Sequence, residues 1–308
     1  MFHCLRDRVT ASLLLWASLL PLAAASDQPV VLRLEDGAVI PYHRITTETQ
    51  TMTMMGRKME IGRRVESDLT FTVIGRTAED DYSVAVEISR IYGEIRQPMQ
   101  PPLTFDTDAE EEPAAMSFVT HMATALAGRT VRVTVHRNGQ VVATEGYVEA
   151  LRAAVDAAPE NPTIDREQLR AGVTEETAIS QMQLLFPMLP EEPPSVDATF
   201  KGSTFIGMEL ELHSTITRLD DQVLGFESSG AFQLDPAAGL QEEGPVKSSV
   251  KGTVEVSRTD GLILKAHSTE KQLQNTETPM GVIPVRVTRT RSLERLEPRP
   301  SEGQSEDG

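Results

Sequence analysis

Four methionines crowd one short stretch, Met52, Met54, Met55 and Met59, and thioether sulfur is a donor that suits soft copper(I). On an extended chain Met52 and Met54 share one side and Met55 the other, so a compact sulfur cluster needs the chain to fold back at Gly56. No cysteine, second methionine cluster or histidine pair completes such a site, and these side chains read as gap-fillers in a core. His43, His121, His136, His213 and His267 stand at no metal-binding spacing to one another. Glu209 with Glu211, and Asp220 with Asp221, are the kind of carboxylate pair that glycoside hydrolysis uses, yet alternate acids along a strand ordinarily mark its wet face. Gly225-Phe226-Glu227-Ser228-Ser229-Gly230 resembles a nucleophile elbow only superficially, and neither a phosphate-binding loop nor a His-Glu-x-x-His helix occurs. The expectation is a protein that is not an enzyme and uses no cofactor or metal.

The compartment follows from the first residues. An apolar run from Leu13 to Leu22 follows Arg6 and Arg8 and ends in Ala23-Ala24-Ala25. That order is the pattern of a secretory signal peptide, with cleavage expected between Ala25 and Ser26, release into the periplasm or medium, and no transmembrane anchor. The only cysteine, Cys4, leaves with the signal. Disulfides and zinc–thiolate sites are thereby excluded from the mature chain, and packing alone must hold the fold. Forty-six acidic residues against twenty-nine basic ones give a net charge of −17. So acidic a surface repels phosphate backbones, which excludes nucleic acid as a partner and argues against docking on anionic headgroups.

The elements that position these residues are mostly strands. From Val39 to Met55, Tyr42, Thr46, Glu48, Gln50 and Met52 share one face and a run of threonines takes the other. Met59, Ile61, Val65, Leu69, Phe71 and Val73 then alternate with polar residues, and after an acidic turn at Glu79-Asp80-Asp81 so do Tyr82, Val84, Val86 and Ile88. Three such segments predict an antiparallel meander. A proline-rich acidic loop spans Pro98 to Pro113, and a helix follows to about Ala127 with Gly128 as its C-cap. Asn138-Gly139 between alternating segments predicts a hairpin. Helices are expected over Tyr147 to Ala158, from a cap at Asp165 to Gly172, and from a cap at Thr174 to Phe186, before a proline-rich linker. Beyond Ala198 the chain alternates again. One strand is read from Ile206 to Ile216, others carry Leu224 to Leu234, Val250 to Val256 and Leu262 with Leu264, and a last one carries Val285 and Val287.

These segments predict an α+β fold: a curved antiparallel sheet or half-barrel of about ten strands around a few central helices. In domain terms, residues 1–25 are the signal and residues 26–296 a single domain. That domain is built from two meanders, about 39–96 and 198–293, with a helical and hairpin middle at about 113–186. Residues 297–308 form a disordered tail. Each half also places a strand, an acidic turn and an Asn-Gly or Asp-Gly hairpin in similar settings, a weak internal repeat.

Three stretches carry a family resemblance: Thr51 to Glu60, the hairpin from Val131 to Gly146 with the helix after it, and the late hairpin Val254 to Ile263. Together they resemble an uncharacterised family of exported bacterial proteins, itself similar to the lipoprotein-carrier group, whose half-open antiparallel barrel wraps around a helical lid. The resemblance covers about Val39 to Leu296. It implies a concave apolar sheet surface that holds lipid or acyl chains without chemistry, and no functional residue carries over individually. On this reading the ligand face comprises Leu69, Phe71, Val73, Leu210, Leu212, Phe226 and Phe232 on strands, with Met182 and Leu185 on the helical lid. The alternative is a structural or interaction module of the cell envelope, which meets an envelope protein through its acidic surface and takes no small ligand.

Overall fold

A computed structural model describes residues 28–54, 56–109, 118–158, 166–205, 209–234, 246–278 and 281–297. The signal segment, the C-terminal tail from Pro298 onward, Met55, the expected cap Asp165 and the expected strand residues Ile206 and Met208 lie outside the described residues.

The chain opens with the expected meander, β1 (Val39–Met54), β2 (Arg57–Arg76) and β3 (Tyr82–Arg96). Gly56 turns β1 into β2 at φ +73, a conformation that costs glycine least. A short β4 (Leu103–Asp106) pairs with β3 inside the proline-rich stretch, which sequence reading leaves as loop. Then come α1 (Phe118–Leu126) and the Asn138-Gly139 hairpin of β5 (Thr130–Val135) and β6 (Val141–Glu145). They are followed by α2 (Tyr147–Ala157), α3 (Arg166–Gly172) and α4 (Glu175–Gln183). The Thr174 side chain accepts from the Thr177 backbone N–H, the N-cap its position predicts.

The second half supplies β7 (Thr199–Phe205), β8 (Glu209–Leu219), β9 (Val223–Leu234), β10 (Val246–Ser257), β11 (Ile263–Thr278) and β12 (Gly281–Arg295). All twelve strands belong to one open antiparallel sheet, ordered β6-β5-β3-β2-β1-β12-β11-β10-β9-β8-β7 with β4 beside β3. Twelve exceeds the expected ten for two physical reasons. β4 is too short to show a period. Where alternation suggests one strand across residues 206–216, the chain instead makes the β7–β8 hairpin. β11 also runs far past Leu264, because its inward residues Ser268, Glu270 and Gln272 are polar and carry no hydrophobic alternation.

The halves meet along β1 and β12, paired from Tyr42 opposite Arg295 to Met52 opposite Val285. At the two ends of the sheet, β6 and β7 both pack against α4, so the sheet rolls around that helix and its helix-bearing face is concave. Gln183 of α4 accepts from the Val141 N–H at 2.8 Å and donates to the Gly139 carbonyl at 3.0 Å. The Leu189 N–H donates to the Asn138 carbonyl. These contacts occupy edge groups that would otherwise be free to recruit another strand. At one end of the trough the segment carrying buried Val30, Leu32 and Leu34 crosses from the β5–β6 turn to the β10–β11 turn. Its Leu32 N–H bonds the Arg137 carbonyl, and its Arg33 N–H bonds that of Asp260. The core lies between this segment, α4 and the sheet, around Tyr42, Phe71 and Phe186, whose rings contact in series.

Candidate cleft on the concave face

Strand register sorts the concave face into rows. The row through Leu293, Ala266, Val254, Phe226 and Ile216 belongs to the core on β8 to β12, but on β1 and β2 it carries Arg44 and Ser67. The next row outward holds Val65, Thr46, Arg291 and Ser268. The one after it crosses Arg63, Glu48, Arg289, Glu270 and Val250 on five adjacent strands, so that charge alternates from β2 to β11. A cavity of about 400 Å³ opens here, lined by Arg44, Arg63, Arg289, Arg291 and Glu48 from the sheet and by Gln181 and Leu184 from the α4 side.

The ion pairs in this cleft are uneven. Arg289 donates from Nε and Nη2 to Oε2 of Glu48 at 2.9 and 2.5 Å, and its Nη1 lies 3.3 Å from a Glu270 carboxylate oxygen. Nη1 of Arg291 lies 2.8 Å from the same Glu270, which is only 1% exposed, and Gln272 also donates to that carboxylate. Burial by itself would raise the Glu48 carboxyl, but hydrogen bonds from Gln50 and Arg289 outweigh it and hold the group below the usual glutamate value. Burial likewise opposes charge on Arg289, and its two carboxylate partners reverse that and raise it. Arg44 and Arg291 go the other way. Burial pulls both guanidiniums down; their positive neighbours add to it, Arg291 beside Arg44 and Arg289 beside Arg291, while Tyr147 and Glu270 respectively offset it only in part. Arg44 donates to the Ser67 hydroxyl at 3.4 Å and has no carboxylate partner among the described residues; Arg63 has none either.

Outward of this charged belt the same face carries apolar residues interrupted by Gln50 and Gln272. Val285 and Val287 are buried, and Met52, Met59 and Ile61 beside them are half-exposed. Met52 lies directly opposite Met59, so these two sit at the outer end of the sheet and not in the core that sequence reading gives them.

The sequence-predicted ligand face divides. Leu69, Phe71, Val73, Met182, Leu185 and Phe226 are buried together in the core, where strands and helix fill the trough against each other. Leu210 is buried outside that cluster, Leu212 is half-exposed, and of the Phe232 side chain nothing is described. Sequence reasoning missed Arg44, Glu48, Arg63, Glu270, Arg289 and Arg291. Their one signal was that Glu48 shares a strand face with Tyr42 and Met52.

Several of the remaining candidates have structural partners. Asp220 accepts from the N–H groups of Gln222 and Val223 and from Arg218, which shapes a turn, and Glu211 is exposed and pairs with Lys201 and His213. His43 meets Asp68 at 2.7 Å on the opposite face of the sheet. Among the described residues no group of three His, Cys, Asp or Glu side chains could hold a metal ion, and no helix is long and apolar enough to cross a membrane.

Comparison with known proteins places residues 79–263 in a family of unknown function, DUF6263, to which the chain therefore belongs. No curated protein matches. A solved structure described as "lipid–protein interactions in lipovitellin" is similar to this chain at a TM-score of 0.52 and 11% identity, over 88% of this chain and 27% of that one. The likeness is one of fold, and this chain spans about a quarter of that protein's length.

Proposed function

We propose that this DUF6263 member is an exported, non-enzymatic carrier that holds a lipid or another apolar ligand on the concave face of its open sheet. One observation carries the reading: the concave face extends past the packed core into a cleft and then an apolar strip, where Met52, Met59 and Ile61 are left half-exposed beside buried Val285 and Val287. Half-exposed apolar side chains grouped on one concave face suit contact with an apolar ligand. The fold likeness to a lipovitellin chain supports the same reading, and the ligand position moves outward from the sequence-predicted face, which its own core fills. The expected export signal agrees with a carrier working outside the cytoplasm.

The test uses protein purified from its own host. Native mass spectrometry and organic extraction are expected to recover a co-purifying lipid. N-phenyl-1-naphthylamine should fluoresce on binding, with affinity lowered at least about tenfold by Met59→Asp, since a charge there must be desolvated by the probe. Absence of both lipid and probe binding would overturn the proposal in favour of an envelope interaction module. The same preparation fixes the compartment: terminal sequencing should begin near Ser26, and a chain beginning at Met1 would remove the export step.

A further inference from the structure

We infer that the ligand is an amphiphile with an oxyanion headgroup, a carboxylate or phosphate seated among Arg44, Arg63 and Arg291 while its chain lies along half-exposed Met52, Met59 and Ile61. The inference rests on the carrier reading and adds the chemical class of the ligand. Four guanidiniums face two carboxylates in the cleft, and both carboxylates are already engaged, Glu48 by Arg289 and Glu270 by Arg289 and Arg291. That leaves an excess of two positive charges in a chain whose net charge is −17. Among the described residues neither Arg44 nor Arg63 closes an ion pair, Arg63 reaching Glu48 only through its longer-range field, and Arg44 and Arg291 are diagonal neighbours on adjacent strands, held close against their mutual repulsion. A partly desolvated cation without a counterion is costly, and an oxyanion accepting from these donors would relieve that cost. Beyond the charged row come Gln50, which still donates to Glu48, with Ile61 and Val287 on either side of it, and then Met52 between Met59 and Val285. Head and chain thus fall on one face in the order an amphiphile requires. The acidic exterior opposes entry of a small free anion, so the apolar chain supplies what the charge alone does not.

The experiment measures binding of palmitate and hexadecyl phosphate against hexadecanol, with inorganic phosphate as a chain-free control, at pH 8 on the full mature chain. Arg44→Gln and Arg63→Gln strand no carboxylate partner, and Arg286→Gln, exposed on the opposite face, is the control. The two anionic ligands should bind at least about tenfold more tightly than hexadecanol. Arg44→Gln and Arg63→Gln should each remove roughly tenfold of that preference while hexadecanol binding is unchanged, as expected for loss of a charge-assisted hydrogen bond. Equal binding of all three hexadecyl ligands, unaltered by the arginine variants, overturns the headgroup assignment and leaves the carrier reading standing. Binding of none of the three overturns both. If inorganic phosphate binds through Arg44 while the hexadecyl ligands do not, the cleft is a free-anion site and the amphiphile is wrong.

Discussion

Glu270 is the most deeply buried carboxylate of the cleft, and it holds Arg289 and Arg291 together across β11 and β12. Removing one member of such a cluster leaves the other charges in low dielectric without compensation, an effect of about 3 kcal/mol when the group is well buried. Glu270→Ala is therefore expected to lower urea unfolding stability by roughly that amount. Arg96→Ala, which breaks a solvent-screened pair with Glu94, should leave it nearly unchanged. Glu48 makes a pH prediction. Its folded-state carboxyl is held below the ordinary value of 4.5, so its contribution is fully present above that value and is lost as pH falls through the lower folded value. Thermal melts from pH 6 downward should show this loss, and Glu48→Gln should flatten that part of the profile.

At the scale of elements, α4 with the segment after it decides whether the trough has a floor. Its N-cap is a single side chain, and Thr174→Ala should destabilise by about 1 kcal/mol, read by chemical denaturation. The β5–β6 turn is less forgiving. Gly139 has φ +86, and a Cβ there would stand 1.7 Å from the Pro187 carbonyl oxygen, a backbone atom that cannot rotate away. Gly139→Ala must strain the turn and push the segment that closes the gap toward β7. A loss of at least about 2 kcal/mol is expected, with earlier proteolysis in residues 187–198 than in the parent.

The whole molecule depends on one seam. β1 and β12 are the two middle strands, and residues as far apart in sequence as Glu48 and Arg289, 241 positions, meet there. Non-local pairing of this kind slows folding, because the loop must close before its contacts form. A chain ended at Thr278 keeps eleven of the twelve strands yet loses the one that joins the halves, leaving β1 and β11 as long unpaired edges. It should aggregate and show no cooperative unfolding transition by circular dichroism, whereas the parent should unfold in a single step.

Local rules made much of the fold legible from sequence. Alternation in β2 and β3, Asn138-Gly139, the Thr174 cap and the grouping of Tyr42, Glu48 and Met52 on one strand face all depend on neighbours a few residues away, which any strand or helix start enforces. The α+β class follows from their order. The cleft did not emerge, because period two assigns residues to a face without saying whether that face is wet. Arg44, Glu48, Glu270, Arg289 and Arg291 alternate like any solvated strand, and only the pairing of β1 with β12 and the roll of the sheet around α4 turn them inward. Curvature also decided that Leu69, Phe71 and Leu185 fill the core while Met52 and Met59 reach its rim, since the helix and the N-terminal segment occupy one end of the trough and leave the other open.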